Sequence, residues 1–395
     1  MKRNVRMAIV ALAFMAAGST SALAQSADNN QTQDSSITYR PFQISFVPML
    51  GTNGIESPKV ANRLSVNIIA GMSKGVGAAE YGGIANLTNG KVFGFQYAGI
   101  LNTSKDVTGC QVAGIVNLTR GNVKGFQAAG VVNNTKDVKG FQAAGVVNLA
   151  RGTVEGSQAA GVGNMAKSVT GVQMAGVFNL SADKAKTQLA GVFNSATTVE
   201  GVQISGIVNR AKTVGTQIGI VNIADSCSGA TIGFINIVKS GYHQFEVSGD
   251  ELFYANLAYR SGVKKLHTIF SAGIRPDYTN TTIWTTNFGV GTSCNLSAKT
   301  LFDAELSCGN VVVDDKFRDE NNRLYRAYIG IDKYLFRGMS IAIGATANLL
   351  SYNTDNERNE YLMKQIVPYT MYTHKVNDSR SLSGWIGGKI ALRFN

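Results

Sequence analysis

The chain has 395 residues, of which 44 are glycine and 5 proline, with 16% charged residues and a formal net charge of +12. Abundant glycine, scarce proline and the lack of any helix-period apolar pattern exclude a helical bundle and predict an all-β protein. Lys and Arg are spread along the sequence rather than run together, which argues against a nucleic-acid-binding arm.

The first segment predicts export. Lys2, Arg3 and Arg6 precede an apolar run over 7–17, and Ala22, Leu23 and Ala24 form a small-residue cleavage site before Gln25. Residues 1–24 are therefore read as a cleaved signal peptide, after which the net charge falls to about +9. Residues 25–38 are polar and read as a flexible leader. Cys110, Cys227, Cys294 and Cys308 are far apart and form neither a disulfide framework nor a metal-ligand spacing. No later segment approaches the ~20 apolar residues of a transmembrane helix.

Residues 39–81 carry strand-like alternation. Phe42, Ile44 and Phe46 alternate with Gln43 and Ser45, and Leu64, Val66 and Ile68 with Ser65 and Asn67. They are read as N-terminal barrel strands.

Residues 82–240 are a glycine-rich tandem-repeat β region with the pattern G-x-Q-x-A-G-[IV]-[VFL]-N. Its signature pairs are Gln96 and Asn102, Gln111 and Asn117, Gln127 and Asn133, Gln142 and Asn148, Gln158 and Asn164, Gln173 and Asn179, and Gln203 and Asn209. Degenerate copies end at Asn86, Asn194, Asn222 and Asn236. Successive glutamines are 15 or 16 residues apart. One face of each strand carries Gln, Ala, Ile or Val, and Asn; the other is apolar and variable. Two architectures fit. In an outer-membrane antiparallel barrel the repeats are consecutive strands, with the apolar face toward lipid and the Gln/Asn face toward the interior. In a β-solenoid the apolar face is the core and the amides stack as ladders. The absence of a linker and a strand length suited to a tilted membrane strand favour the single barrel. Two early strands, eleven repeats and eight late strands, however, sum to an odd number, against the even count of bacterial barrels. The alternative is a solenoid joined to a smaller, about ten-stranded barrel.

Residues 241–395 read as C-terminal barrel strands over 242–248, 252–259, 264–274, 284–296, 300–312, 323–334, 339–350 and 382–394. Taken alternately up and down, they place long connections on one side and short turns on the other, the asymmetry of outer-membrane barrels. On the last strand Leu382, Ile386, Ile390, Leu392 and Phe394 oppose Lys389 and Arg393. Tyr325, Tyr334, Tyr352, Tyr361, Tyr369 and Trp385 are expected as interfacial aromatics. The signal peptide, the repeats and a final strand ending in Arg393, Phe394 and Asn395 together resemble Gram-negative outer-membrane barrels. The repeats resemble the surface-repeat proteins of such bacteria. That resemblance implies outer-membrane localisation, with membrane lipid and the barrel-assembly machinery as partners, and it carries no activity.

Enzymatic chemistry is not visible. No nucleotide-binding, nucleophile-elbow or zinc-protease motif occurs. His243, His267 and His374 lack ligand spacing and are read as solvated or lumen residues. Asp314, Asp315, Asp319 and Glu320, and separately Asp355, Glu357 and Glu360, are read as solvated loop charges rather than a calcium site. A polysaccharide hydrolase on a solenoid would need clustered carboxylates, which the repeats lack. No cofactor and no metal are expected. The expected function is a non-enzymatic outer-membrane barrel with a structural or channel-like role. The alternative is a surface or periplasmic solenoid module that contacts a glycan or protein, in which the repeat Gln and Asn serve structurally or face a lumen or ligand.

Overall fold

The computed structural model describes residues 37–276, 281–314 and 321–395; the expected signal peptide and nearly all of the leader lie outside them. The chain is all-β and combines a β-solenoid with a closed antiparallel barrel. Its contacts divide it after Ile207 into two compact units.

In the first unit each repeat makes one complete coil. The long strand Asp106–Ala113 is followed by a corner at Gly114 and Ile115, the short strand Val116–Thr119 and a polar turn, and Val123–Ala129 begins the next coil. Long strands pair with long strands and short with short, parallel and in register apart from local irregularities such as that between Val169 and Val172. Phe126 lies beside Phe141, Gln127 beside Gln142, and Asn133 beside Asn148. The arrangement of repeats as consecutive antiparallel barrel strands is therefore corrected. A hairpin would reverse direction at every repeat and set Gln against unlike neighbours, whereas a coil of 15 or 16 residues sets each residue on its own copy. Residues 39–81 belong to the same stack: Thr38–Val47 pairs parallel with Val60–Asn67, which pairs parallel with Gly75–Gly82. The free edge of the first strand is blunted by the two-residue antiparallel strand Leu50–Gly51.

The corner explains why glycine recurs. A Cβ on Gly145 would lie 2.0 Å from the Gly130 carbonyl oxygen of the coil below, and one on Gly130 2.0 Å from that of Gly114. Glycine is needed there because the coils stack too closely for any side chain. The corner also breaks strand parity, so Ile100, expected on the Gln/Asn face, points outward and is 44% exposed.

The second unit begins with further coils. The short strands Val208–Arg210, Val221–Ala224 and Ile235–Val238 pair parallel and in register. Eight antiparallel strands then close into a barrel: Tyr242–Asp250, Ala255–Val263, Leu266–Arg275, Ile283–Ser297, Thr300–Val313, Asn322–Phe336, Met339–Asn353 and Arg380–Phe394. The last pairs with the first, Arg393 beside Glu246, to complete the ring. Most expected strands lie close to their positions, the second runs Ala255–Val263 rather than 252–259, and eight strands close the ring rather than about ten. The connections after Arg275, Val313 and Asn353 are long, and those after Val263, Ser297 and Phe336 are tight.

The barrel is polar inside and apolar outside. On Asn322–Phe336, Tyr325, Ile329 and Ile331 face out while Leu324, Tyr328 and Asp332 are buried. On the final strand Ile386, Ile390, Leu392 and Phe394 face out, and Lys389 and Arg393 face the lumen. Tyr352 and Trp385 do not lie at an interface as expected; both are buried under a helix at one barrel end. Among the described residues no helix is long and apolar enough to cross a membrane, which says nothing of strands.

Because the corner has no room for a methyl group, Gly145→Ala is expected to destabilise the protein by about 1–3 kcal/mol, the range for forced overpacking. Urea unfolding of the purified chain measures this; an unchanged midpoint would contradict the stacking distance.

Candidate functional site

The interior of the solenoid combines amide columns with small apolar ones. The long strands turn Val, Gln and Ala inward and the short strands turn Asn and then Ser, Thr or Ala inward, as in Val107, Gln111, Ala113, Asn117 and Thr119, or Asn148 and Ala150. All the signature residues, from Gln96 and Asn102 to Gln203 and Asn209, are completely buried. They form two ladders. Gln111 Nε2 donates to Gln96 Oε1 at 2.7 Å, Gln127 to Gln111 at 2.7 Å and Gln142 to Gln127 at 2.7 Å, so the glutamine ladder donates toward the N-terminus. The asparagine ladder runs the other way: Asn102 Nδ2 donates to Asn117 Oδ1 at 3.0 Å, and Asn117 to Asn133 at 2.9 Å. The second asparagine proton goes to a backbone carbonyl of the next coil, as from Asn117 to Ala128 at 2.6 Å. An amide is both donor and acceptor, so identical copies satisfy one another in parallel register. The solenoid expectation of an apolar core is thereby inverted: the ladders are inside and the varied apolar face is outside. The repeat amides consequently reach neither a ligand nor a lumen.

The glutamine ladder ends on a carboxyl group. Gln96 Nε2 donates to Glu80 Oε2 at 2.8 Å, Thr88 Oγ1 to the same oxygen at 2.7 Å, and Asn67 Nδ2 to Oε1 at 3.2 Å. Glu80 occupies the glutamine column and is fully buried, and its hydrogen-bond partners Asn67, Ser73, Thr88 and Gln96 are all neutral. Burial raises its pKa above the ordinary 4.5 against the opposing hydrogen bonds from Thr88, Gln96, Asn67 and Ser73. The repeat pattern misses Glu80, because a carboxyl group at the end of the glutamine ladder departs from the consensus.

The barrel lumen holds a second polar cluster. Arg260 donates to both oxygens of Glu305 at 2.9 and 3.1 Å and pairs with Glu246 at 2.8 Å. Arg393 reaches Glu246 at 2.8 Å, Glu305 at 3.2 Å and Asp332 at 3.1 Å, and also bonds Asp303. Lys389 sits 3.4 Å from both Glu246 and Glu305 and 3.9 Å from the centre of the Tyr328 ring. Three cations and four carboxylates thus fill the cross-section. Lys389 and Arg393 are legible as lumen residues; the carboxylates are not, since they lie on three different strands away from the last one.

Both lumen ends are closed. At the short-turn end the last coil packs on the barrel: Ser261 Oγ donates to the Asn236 carbonyl, and Asn236 Nδ2 donates to Thr268 Oγ1 at 3.3 Å, extending the asparagine ladder onto a barrel strand. At the long-loop end the helix Glu357–Ile366 lays Leu362, Met363 and Ile366 against Leu252, Phe253, Ile283, Leu350 and Trp385. Asn356 caps its N-terminus, accepting from Arg358 and Asn359 N–H at 3.0 and 3.2 Å. Asn359 exchanges hydrogen bonds of 2.8 and 3.0 Å with Asn322. Arg275 bonds the carbonyls of Leu252 and Ile366 at 3.2 and 3.1 Å.

The remaining candidates do not converge. His267 is buried beside Tyr242, His243 bonds the Val238 carbonyl, and His374 is exposed on Tyr372–Asn377. Asp314 pairs with Arg358 at 3.2 Å and Glu360 with Lys364 at 2.6 Å; Asp315, Asp319 and Glu320 lie outside the described residues. Among the described residues no group of His, Cys, Asp and Glu has the arrangement to hold a metal ion. All four thiols are free, and burial pushes the Cys110 and Cys227 thiols up. No protein-family model, curated protein or solved structure matches the chain.

The Glu80 carboxyl predicts a pH dependence. Its folded pKa lies above the unfolded value, so the native state binds the proton more tightly. Stability is fullest below about pH 4.5 and falls as pH rises toward the raised value. Glu80→Gln, which continues the ladder with a neutral amide, is expected to raise the unfolding midpoint at pH 7 and to flatten the loss between acid and neutral pH. A variant that loses stability at pH 7 would contradict a costly buried carboxylate.

Proposed function

We propose that the protein is a non-enzymatic outer-membrane protein whose barrel serves as a structural anchor for the solenoid rather than as a channel. The observation that carries this reading is the inverted barrel, with Phe245, Val247, Ile329, Ile343 and Ile390 exposed outside and a charge cluster inside. Such polarity is stable where the surrounding phase is apolar. Long connections at one end and tight turns at the other suit an external and a periplasmic side respectively, and the export signal supports the same address. The partners on this reading are membrane lipid and the assembly machinery, which would receive the final strand Arg380–Phe394.

The filled lumen favours the structural role over the channel-like one. An eight-stranded barrel has an interior just wide enough for side chains to fill. Here the ion cluster occupies the middle, the apolar helix one end and the last coil the other. The surface-module alternative loses its proposed contact residues, since the amide rows are buried.

Cell fractionation and gels test the anchor. The chain is expected in the outer-membrane fraction with migration that changes on boiling, and in planar bilayers it is expected to give no stepwise conductance. Recovery as a soluble periplasmic protein would overturn the membrane reading, and steady ion conductance would overturn the filled lumen.

A further inference from the structure

The outside of each coil is sharply amphipathic. Ile100, Ile115, Val131, Val146, Val162 and Val177 occupy the corner of successive coils and are all exposed. The rows on either side of this ridge are also uncharged in every coil of residues 81–207, from Tyr97 and Leu101 to Leu189 and Phe193. Five residues beyond the corner, on the short-strand side, runs a cationic row of Lys105, Arg120, Lys136, Arg151 and Lys167. At ~3.3 Å per residue this row lies at most ~17 Å from the ridge.

Backbone chemistry suits the ridge to an apolar phase. The corner N–H groups are all used between coils: Gly114 N–H bonds the Ala98 carbonyl at 3.0 Å, and Ile115 and Val116 N–H bond that of Ile100 at 3.2 and 2.8 Å. The same pattern recurs at Gly130, Val131 and Val132. Donors left open there would make contact with lipid costly.

The second unit carries an apolar corner of its own. Its corner residue Phe234 stacks on Phe288 with ring centroids 5.4 Å apart and meets Phe270 edge-on at 4.7 Å. Phe288 lies on the apolar outside of the barrel and is itself exposed. The ridge of the last coils therefore merges with the outer barrel surface at the short-turn end, which is the periplasmic end on the reading above.

We propose that the apolar corner ridge of the solenoid lies in the acyl layer of an anionic phospholipid leaflet, with its cationic row at the head groups. An interfacial element of this kind enters ~5–10 Å below the head-group boundary. The rows just inside the cationic one then fall at that boundary, and the Lys and Arg reach the phosphates. The coils act as an amphipathic β-structure that rests on a membrane leaflet. This inference depends on the barrel being a membrane anchor.

The test uses the full chain with Cys110, Cys227, Cys294 and Cys308 replaced by serine. Single cysteines are introduced by Val131→Cys or Val146→Cys on the ridge, or Asn122→Cys on the polar edge, and labelled with a polarity-sensitive fluorophore. The protein is folded into phosphatidylethanolamine–phosphatidylglycerol vesicles containing lipids brominated on the acyl chains. Both ridge labels are expected to be blue-shifted and quenched, the Asn122 label to be neither, and ridge quenching to weaken when phosphatidylglycerol is omitted. Heat-modifiable migration of the same samples reports the barrel. Ridge labels in water while migration is heat-modifiable would overturn this inference and leave the anchor standing, as would a ridge shielded only by a second copy of the chain. Quenching of the Asn122 label as well would overturn the edge-on orientation, and quenching indifferent to phosphatidylglycerol would overturn the head-group contact. Loss of heat modifiability would overturn the anchor and this inference with it.

Discussion

The amide ladders are the constraint on which the rest of the solenoid depends. A coil of 15 or 16 residues encloses little volume, so its interior admits one residue from each inward position. An interior Gln or Asn must find partners within the stack, because leaving a buried polar group unpaired costs about 1–3 kcal/mol. Parallel in-register stacking satisfies them, since every amide meets its own copy above and below. That register brings the glycine corners into van der Waals contact, stacks Val on Val and Ala on Ala inside, and leaves the larger apolar residues outside. The glutamine ladder ends on Glu80, which accepts from Gln96 at the cost of a buried carboxyl group.

The barrel repeats this inversion with charges in place of amides. Arg260, Lys389 and Arg393 have their attraction to Glu246, Glu305, Asp303 and Asp332 offset by the cost of removing all of them from water, so the cluster need not add net stability. Its effect is on polarity and shape. It fills the lumen with groups that oppose lipid exposure and leaves the aliphatic and aromatic positions for the outer wall. The charged interior and apolar exterior of the barrel make an apolar surrounding phase its natural solvent.

Much of this was legible in the sequence. The repeat period, the all-β class, the strand positions of the barrel and the sidedness of Ile390, Leu392 and Phe394 against Lys389 and Arg393 all follow from pattern alone. The direction of pairing did not, because nine alternating residues read as one strand. The glycine at the sixth repeat position was the available signal: a conserved spacing of Gly99, Gly114 and Gly130 inside an apparent strand marks a bend. Missing that bend placed Ile100 with the amides. Residues 39–81 alternate in the same way, yet their strands stack parallel on the coils rather than joining the barrel. The lumen carboxylates and the helix Glu357–Ile366 were hidden for another reason. Their partners lie tens of residues away, and only closure of the barrel brings Asp303, Asp332 and Arg393 together or lays Met363 on Leu252.

The polarity of the solenoid interior can be measured directly. Side-chain amide hydrogen exchange, followed by NMR on the deuterated full chain with labelled Gln and Asn, reports whether those groups are sealed in ladders. Amide protons of Gln111, Gln127 and Gln142 and of Asn117, Asn133 and Asn148 are expected to exchange far more slowly than those of a free amide. Exchange at free-amide rates along the repeat would place these groups in water and contradict the inverted core.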